Sequence, residues 1–326
     1  MKDQEADFLV VDQSFAHLFE VAVIIPCYNE AAAIGKVIAD FRHYLPDAKI
    51  YVYDNNSTDD TAAVARKAGA IVRHEYRQGK GFVIRRMFAD IEADIYIMVD
   101  GDDTYDASIA PNMVKLMIDQ GLDLVNATRN EGGQSIYRPG HRFGNVMLST
   151  MVALIFGQGI KDMLSGYRVF SRRFVKSFPI MSQGFEIETE LTVHSLELAM
   201  PMGDVPCRIT DRPAGSTSKL STFRDGWRIL VMILSLLKEE KPFAFFGGIA
   251  IALVLLSLAL GLPVIMHYFD TGTVPRLPTA LLAASIMLVA FMSFAMGLIL
   301  QTVTRGRKEM KRLHYLASPG ISAGPL

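Results

Sequence analysis

The residue types best suited to chemistry are the carboxylates of Asp100-Gly101-Asp102-Asp103, which directly follow the hydrophobic run Ile95 to Val99. Hard oxygen ligands held at a strand end can bind Mg2+ or Mn2+, and such an ion can neutralise a diphosphate leaving group. Spacing alone leaves a second reading open, since clustered aspartates also mark solvated turns. Two more polar clusters stand after apolar runs: Pro26-Cys27-Tyr28-Asn29-Glu30 and Asp54-Asn55-Asn56-Ser57-Thr58. Glu30 and Asp54 each precede a helical segment, where a carboxylate is equally favourable as a cap. Gly79-Lys80-Gly81 suggests a phosphate loop, yet Ile84 stands where a dinucleotide fingerprint needs its third glycine. No Walker pattern occurs either, which disfavours a nicotinamide enzyme.

These clusters need a frame. Val21 to Ile25, Lys49 to Tyr53, Ala70 to Arg73, Ile95 to Val99 and Leu122 to Asn126 read as strands of a covered sheet. Helical patterns fill the gaps over Glu30 to Tyr44, Thr61 to Ala68, Lys80 to Glu92 and Ser108 to Gln120, with Gly69 as a stop signal. The series is βαβα, so the fold class is α/β with a mostly parallel sheet covered by helices. Ligands of such sheets collect at the carboxyl ends of the strands, where all three polar clusters fall.

In order and spacing, Val23-Ile-Ile-Pro-Cys-Tyr-Asn-Glu30, Val52-Tyr-Asp-Asn-Asn-Ser-Thr-Asp59, Gly79-Lys-Gly81 and Asp100-Gly-Asp102 resemble glycosyltransferase family 2 of the GT-A fold. The resemblance implies that Pro26, Tyr28, Glu30 and Asp54 line a nucleotide pocket and that Lys80 belongs to it. It also implies that Asp100 and Asp102 hold a divalent metal and the donor diphosphate. Further along, Ala127-Thr-Arg129-Asn-Glu-Gly-Gly133, Arg142, Asp162-Met-Leu-Ser-Gly-Tyr-Arg168, Gly184-Phe185 leading to Glu190-Leu191, and Arg212-Pro-Ala-Gly-Ser-Thr-Ser-Lys219 look like the dolichyl-phosphate mannose synthase and bactoprenol glucosyltransferase group. One departure is local: that group often reads Asp-Ala-Asp-Leu-Gln where this chain has Asp100-Gly-Asp-Asp-Thr104, leaving Thr104, Asp103 or water to replace a glutamine metal contact.

Two long uncharged stretches follow, Pro242 to Met266 and Leu277 to Thr304. Each exceeds the roughly 20 apolar residues that cross a bilayer as a helix, so a C-terminal two-helix transmembrane hairpin is expected. Lys238 and Lys241 flank the first stretch, and Arg305, Arg307, Lys308, Lys311 and Arg312 follow the second, whereas the intervening loop holds only Arg276. The positive-inside rule then puts the catalytic domain and both termini in the cytoplasm, and the expected location is a bacterial-type inner membrane, with the protein multi-pass. The expected divisions are an extension over 1–19, a catalytic domain over 20–222, an amphipathic juxtamembrane helix over 223–241 carrying Trp227, spans over 242–266 and 277–304 joined by a loop over 267–276, and a basic tail over 305–326. The last ten residues, Ala317 to Leu326, read as disordered. The N-terminus lacks the apolar core of a signal peptide. Two cysteines, Cys27 and Cys207, argue for no disulfide in a chain facing the cytosol. A net charge of −1 without a basic stripe argues against nucleic acid as a partner.

The resemblance implies metal-dependent, inverting transfer of a hexose-type sugar from a nucleotide-sugar donor to a polyprenyl phosphate, with a slight preference for UDP- over GDP-sugars. Both substrates are anionic, and guanidinium or ammonium groups would screen their repulsion and orient their oxygens. Arg129 and Arg142 are the candidates for the acceptor phosphate, Arg212 and Lys219 for the donor diphosphate or for closure over both substrates; each taken singly reads as well as a surface charge. Membrane lipids are expected partners, and packing of hairpins allows a small homo-oligomer. Two alternatives stay open. A lipid-linked sugar hydroxyl would need a base such as Asp162, and a non-catalytic membrane scaffold could retain the fold.

Overall fold

The computed structural model describes residues 19–129, 150, 152, 162–163, 165–181, 184, 186–210, 231 and 234–321. Contacts divide the chain into two units, residues 1–222 with 311–326, and residues 223–310.

The first unit is built on a sheet of seven strands: β1 Val21–Cys27, β2 Lys49–Asp54, β3 Ile71–His74, β4 Ile95–Met98, β5 Leu124–Arg129, β6 Arg168–Ser171 and β7 Met202–Cys207. Their order is β3-β2-β1-β4-β6-β5-β7. Strands β1 to β4 run parallel, β6 is antiparallel to both β4 and β5, and β5 and β7 are parallel. Each of the five expected strands is present within a few residues; β6 and β7 are additions.

The helices are α1 Ile34–Tyr44, α2 Thr61–Lys67, α3 Lys80–Asp90, α4 Ala110–Gln120, α5 Arg172–Ser177 and α6 Ile187–Glu197. In α1, Ile34, Val37, Ile38 and Phe41 recur at helical spacing and are all buried, which drives that face onto the sheet. That side of the sheet forms one core with Val23, Ile25, Val52, Ile97 and Met113. On the other face Ile24, Tyr96, Met98 and Phe170 pack with Ile84, Met87 and Phe88 of α3 and Leu191 of α6. A sheet covered on both faces accounts for the near-continuous apolar strands. Helix α1 starts later than expected because Glu30 to Ala33 form a turn, its carbonyl receiving the N–H groups of Ala33 and Ile34.

The second unit contains α7 Pro242–Thr271 and the membrane-length part of α8 Leu277–Ala317, both long and apolar enough to cross a membrane. Both run beyond the uncharged stretches. Helix α7 continues past Met266 until Gly272, whose φ of +69° provides the left-handed stop. Buried Ala250, Ser257 and Val264 on α7 and Ala283, Ala290, Gly297 and Thr304 on α8 recur at heptad spacing, the pattern of two helices packing along small residues. Ser257 Oγ donates across this seam to the Ala283 carbonyl at 2.8 Å.

The end of α8 belongs to the first unit. Lys311 Nζ lies 2.6 Å from Glu197, Tyr315 donates to buried Asp123 at 2.7 Å, and Ile321 packs against the sheet core. The expectation of a disordered tail therefore fails for 317–321: a helix end and an apolar side chain have somewhere to dock. Of the juxtamembrane segment expected over 223–241, only 231 and 234–241 fall among the described residues, and 234–240 are helical.

Candidate active site

Strands β1, β2 and β4 end at one edge of the sheet, and the three polar clusters follow there. The first two are laced together: Asn29 N–H donates to Ser57 Oγ, Thr58 N–H to Asn29 Oδ1, Glu30 N–H to Thr61 Oγ1 and Ala31 N–H to Asp59. Asn29 and Asn56 adopt left-handed φ of 55° and 59°, which asparagine tolerates better than most residues. Pro26 is the penultimate residue of β1, and Pro26, Tyr28 and Glu30 are all partly exposed along this edge.

Asp54 ends β2 with only 4% of its surface exposed. Its Oδ2 lies 3.2 Å from His74 Nδ1, while Oδ1 is buried with no hydrogen-bond partner. The capping reading fails for this residue, because α2 begins at Thr61 and its first turn is met by Asp59, which accepts from Thr61 N–H at 3.0 Å.

Asn55 builds the next wall. Its amide nitrogen donates to the carbonyls of Glu75 and Arg77, and its oxygen accepts from Gly79 N–H at 2.7 Å. Gly79, at φ +141°, turns the chain into α3 through a conformation that side chains disfavour. Lys80 is thereby set at the first position of α3, its ammonium 2.6 Å from both Asp100 and Glu188. Lys80 and Glu188 side chains are each 9% exposed, whereas Asp100 is 30% exposed, so the ion pair is shielded and Asp100 still faces solvent. Burial would depress the Lys80 pKa, but the two carboxylates outweigh it and hold the ammonium well above its ordinary value. For Glu188, burial pushes the carboxyl up while Lys80 pulls against it.

Asp102 is buried and accepts from Thr104 Oγ1 at 2.6 Å and from Thr104 N–H at 3.3 Å. Asp103 turns the other way at φ 57° and pairs with Lys36 at 2.7 Å. Of the candidates to replace a glutamine contact, Asp103 is thus committed elsewhere, and Thr104 orients Asp102.

A turn before β6 completes the wall around Asp100. Buried Arg168 donates to the carbonyls of Ser165 and Met163 and to Thr192 Oγ1, tying that turn to α6. Gly166 N–H donates to Tyr105 Oη at 2.8 Å, and Gly166 lies so close to Asp100 that any Cβ there would overlap the carboxylate. Behind them Cys27 is buried and free. Its thiol is pushed well up by burial and then by Glu30, Asp54, Asp100 and Asp102, so these four carboxylates share one field.

Among the described residues no group of three or more His, Cys, Asp and Glu forms a metal site. Asp100 and Asp102 nonetheless fit a hard divalent ion that takes its remaining oxygens from a diphosphate and water. Lys80 beside Asp100 is itself a cation at that carboxylate. Arg129 ends β5, its side chain outside the described residues, as are Arg142, Arg212 and Lys219 entirely. Glu188 was not singled out from the sequence, although it sits in the same Gly184 to Leu191 stretch. The alternation Glu186, Glu188, Glu190 was the available signal.

Comparison with known proteins follows the same lines. A model of glycosyl transferase family 2 matches residues 22–178. Glycosyltransferase AglJ of Haloferax volcanii is 32% identical over 303 residues, covering 91% of this chain and 98% of the relative. A dolichyl-phosphate hexose transferase of Haloferax volcanii is 28% identical over 222 residues, covering 68% of this chain and 96% of the relative. Among solved structures, glucosyl-3-phosphoglycerate synthase from Mycobacterium tuberculosis, in complex with Mn2+ and uridine-diphosphate-glucose, superposes with a TM-score of 0.56 at 22% identity, covering 69% of this chain and 80% of that one. The sheet, the ordered motifs and these likenesses agree: the chain is a GT-A-fold enzyme that belongs to glycosyltransferase family 2.

Proposed function

We propose that this glycosyltransferase moves a hexose-type sugar from a nucleotide-sugar donor to a polyprenyl phosphate, such as undecaprenyl phosphate, with inversion, at the cytoplasmic face of a bacterial-type inner membrane. The observation that carries the acceptor assignment is the clamp on Glu188. This carboxylate shares the Lys80 ammonium with Asp100, at 2.6 Å from each, and is 9% exposed, while Asp162, the other carboxylate that could serve a hydroxyl as base, is 4% exposed, so neither stands open to a sugar hydroxyl. A phosphate oxygen is already ionised near neutral pH and needs no base, unlike a sugar hydroxyl. Catalysis then rests on alignment and charge stabilisation. Two membrane-length helices and a relative named for dolichyl phosphate support a lipid acceptor. A structural neighbour holding Mn2+ and UDP-glucose supports the donor class and the metal.

In this reading Pro26, Tyr28, Glu30 and Asp54 hold the nucleotide, and Asp100 and Asp102 bind Mg2+ or Mn2+. The ion, when bound, supplies positive charge to the departing nucleoside diphosphate. Lys80 contributes a second cation at Asp100. Arg129 and Arg142 orient the acceptor phosphate for in-line attack on the anomeric carbon, and Arg212 and Lys219 serve the diphosphate or close over both substrates.

The pH dependence of kcat tests the acceptor. With undecaprenyl phosphate the rate should rise through about pH 6, where a phosphate monoester takes its second charge, and then stay level to about pH 9. Equal turnover of a lipid-linked sugar hydroxyl, with a rise that no longer depends on a phosphate, would contradict the assignment.

A further inference from the structure

Two things fix Asp100, a charge and a wall. Lys80 Nζ holds Oδ1 at 2.6 Å. On the side of Oδ2 the backbone of Gly166 closes in, and the lack of a side chain there is what lets it come so near. A carboxylate swings between rotamers unless its neighbours stop it, so the place of this backbone decides which orientations stay open to Asp100.

The wall is held from the aspartate loop itself. Gly166 is buried, and its N–H needs an acceptor. Tyr105 Oη takes that N–H at 2.8 Å, from a position three residues beyond Asp102. The hydroxyl is aimed by its ring, which packs edge-on with Tyr167 at a centroid distance of 5.7 Å. Tyr167 packs in the same way with Phe41 of α1 at 5.9 Å, so the ring is anchored in the core beneath the sheet edge. The backbone around Tyr105 is pinned as well. Thr210 N–H donates to the Thr104 carbonyl at 3.0 Å, Thr210 Oγ1 donates to the Asp103 carbonyl at 2.9 Å, and Tyr105 bridges Ile209 in antiparallel fashion. Asp100, Gly166 and Tyr105 thus close a ring in which the loop braces its own first carboxylate.

We propose that Tyr105 is a positioning residue for the divalent metal: its hydroxyl, through the Gly166 N–H, keeps Asp100 in the orientation that binds the ion together with Asp102. Tyr105 acts on the carboxylate and not on the reacting atoms. Groups that orient a metal ligand are worth about 10- to 100-fold in metal affinity, and Tyr105, acting one step further out, belongs near the lower bound. The inference rests on the metal reading of Asp100 and Asp102 given above.

Electron paramagnetic resonance of Mn2+ titrated into the full-length, detergent-purified protein, with UDP or in parallel GDP present, tests it. Tyr105→Phe keeps the ring and its packing on Tyr167 and deletes the oxygen. It should weaken Mn2+ binding by about tenfold, while nucleotide binding in EDTA and the melting temperature stay near wild type. Gly166→Ala displaces Asp100 directly, so its loss should already contain that of Tyr105→Phe, and in the double variant the two losses should not add. Tyr105→Met stands in if the phenylalanine variant does not fold. Wild-type Mn2+ affinity in a folded Tyr105 variant, or fully additive losses, would overturn the bracing role and leave the metal reading intact. No Mn2+ uptake by wild type with either nucleotide would overturn both.

Discussion

Gly166 and Asp100 show how tightly the site is drawn at the scale of single residues. The Cβ absent from Gly166 would meet the end of a flexible, partly exposed carboxylate, not backbone. Gly166→Ala should therefore cost little stability and much activity. We expect a melting temperature close to wild type and a loss in kcat on the order of 10²-fold, the effect of a displacement of about 1 Å at reacting groups; unchanged turnover in a folded variant would remove Asp100 from the chemistry. Asp100, Asp102 and Lys80 were legible in the sequence because each follows directly on a strand or opens a helix. Glu188 was not, since the contact that gives it meaning joins residues remote in the chain, Lys80 on α3 and Glu188 on α6.

Elements were legible where one period dominates and hidden where burial mixes polar with apolar side chains. Helix α6 buries Glu188, Thr189, Thr192, His194 and Ser195 along with Ile187 and Leu191, which erases the amphipathic stripe. Strand β6 is a short piece, Arg168–Ser171, whose fully buried arginine disguises its central place. Strand β7 carries Gly203 and Pro206, tolerated because it lies at the sheet edge. The polar filling of α6 has a thermodynamic signature. His194 packs against Phe174 and Phe178, with Nε2 3.2 Å from Ser177 Oγ. Burial first, and Lys311 second, lower its pKa to about 3. The folded protein thus holds it neutral while the unfolded chain binds a proton below about pH 6.5. Stability present above that pH should be lost as pH falls toward 3. The melting temperature should drop between pH 6.5 and 5 in wild type and be flatter in His194→Leu; parallel curves would show that His194 is not the source.

At the scale of the whole molecule, the sequence disclosed a catalytic unit and two long apolar helices, and both are present. It did not disclose that α8 runs on to Ala317 or that residues from Lys311 onward are part of the first unit. Lys311 and Tyr315 read as part of a basic tail until Glu197 and Asp123, distant in sequence, are placed beside them. Within the hairpin, the small residues at heptad spacing leave the large apolar side chains of α7 and α8 exposed, as a lipid-facing surface requires. The most direct measurement is mass spectrometry of the lipid products after the detergent-purified protein is incubated with Mg2+ or Mn2+, undecaprenyl phosphate and a panel of UDP- and GDP-sugars. The account predicts one new species, undecaprenyl phosphate carrying a single sugar, formed from one donor and absent with EDTA. No glycosylated lipid phosphate from any donor, by a folded protein that still binds a nucleotide, would contradict it.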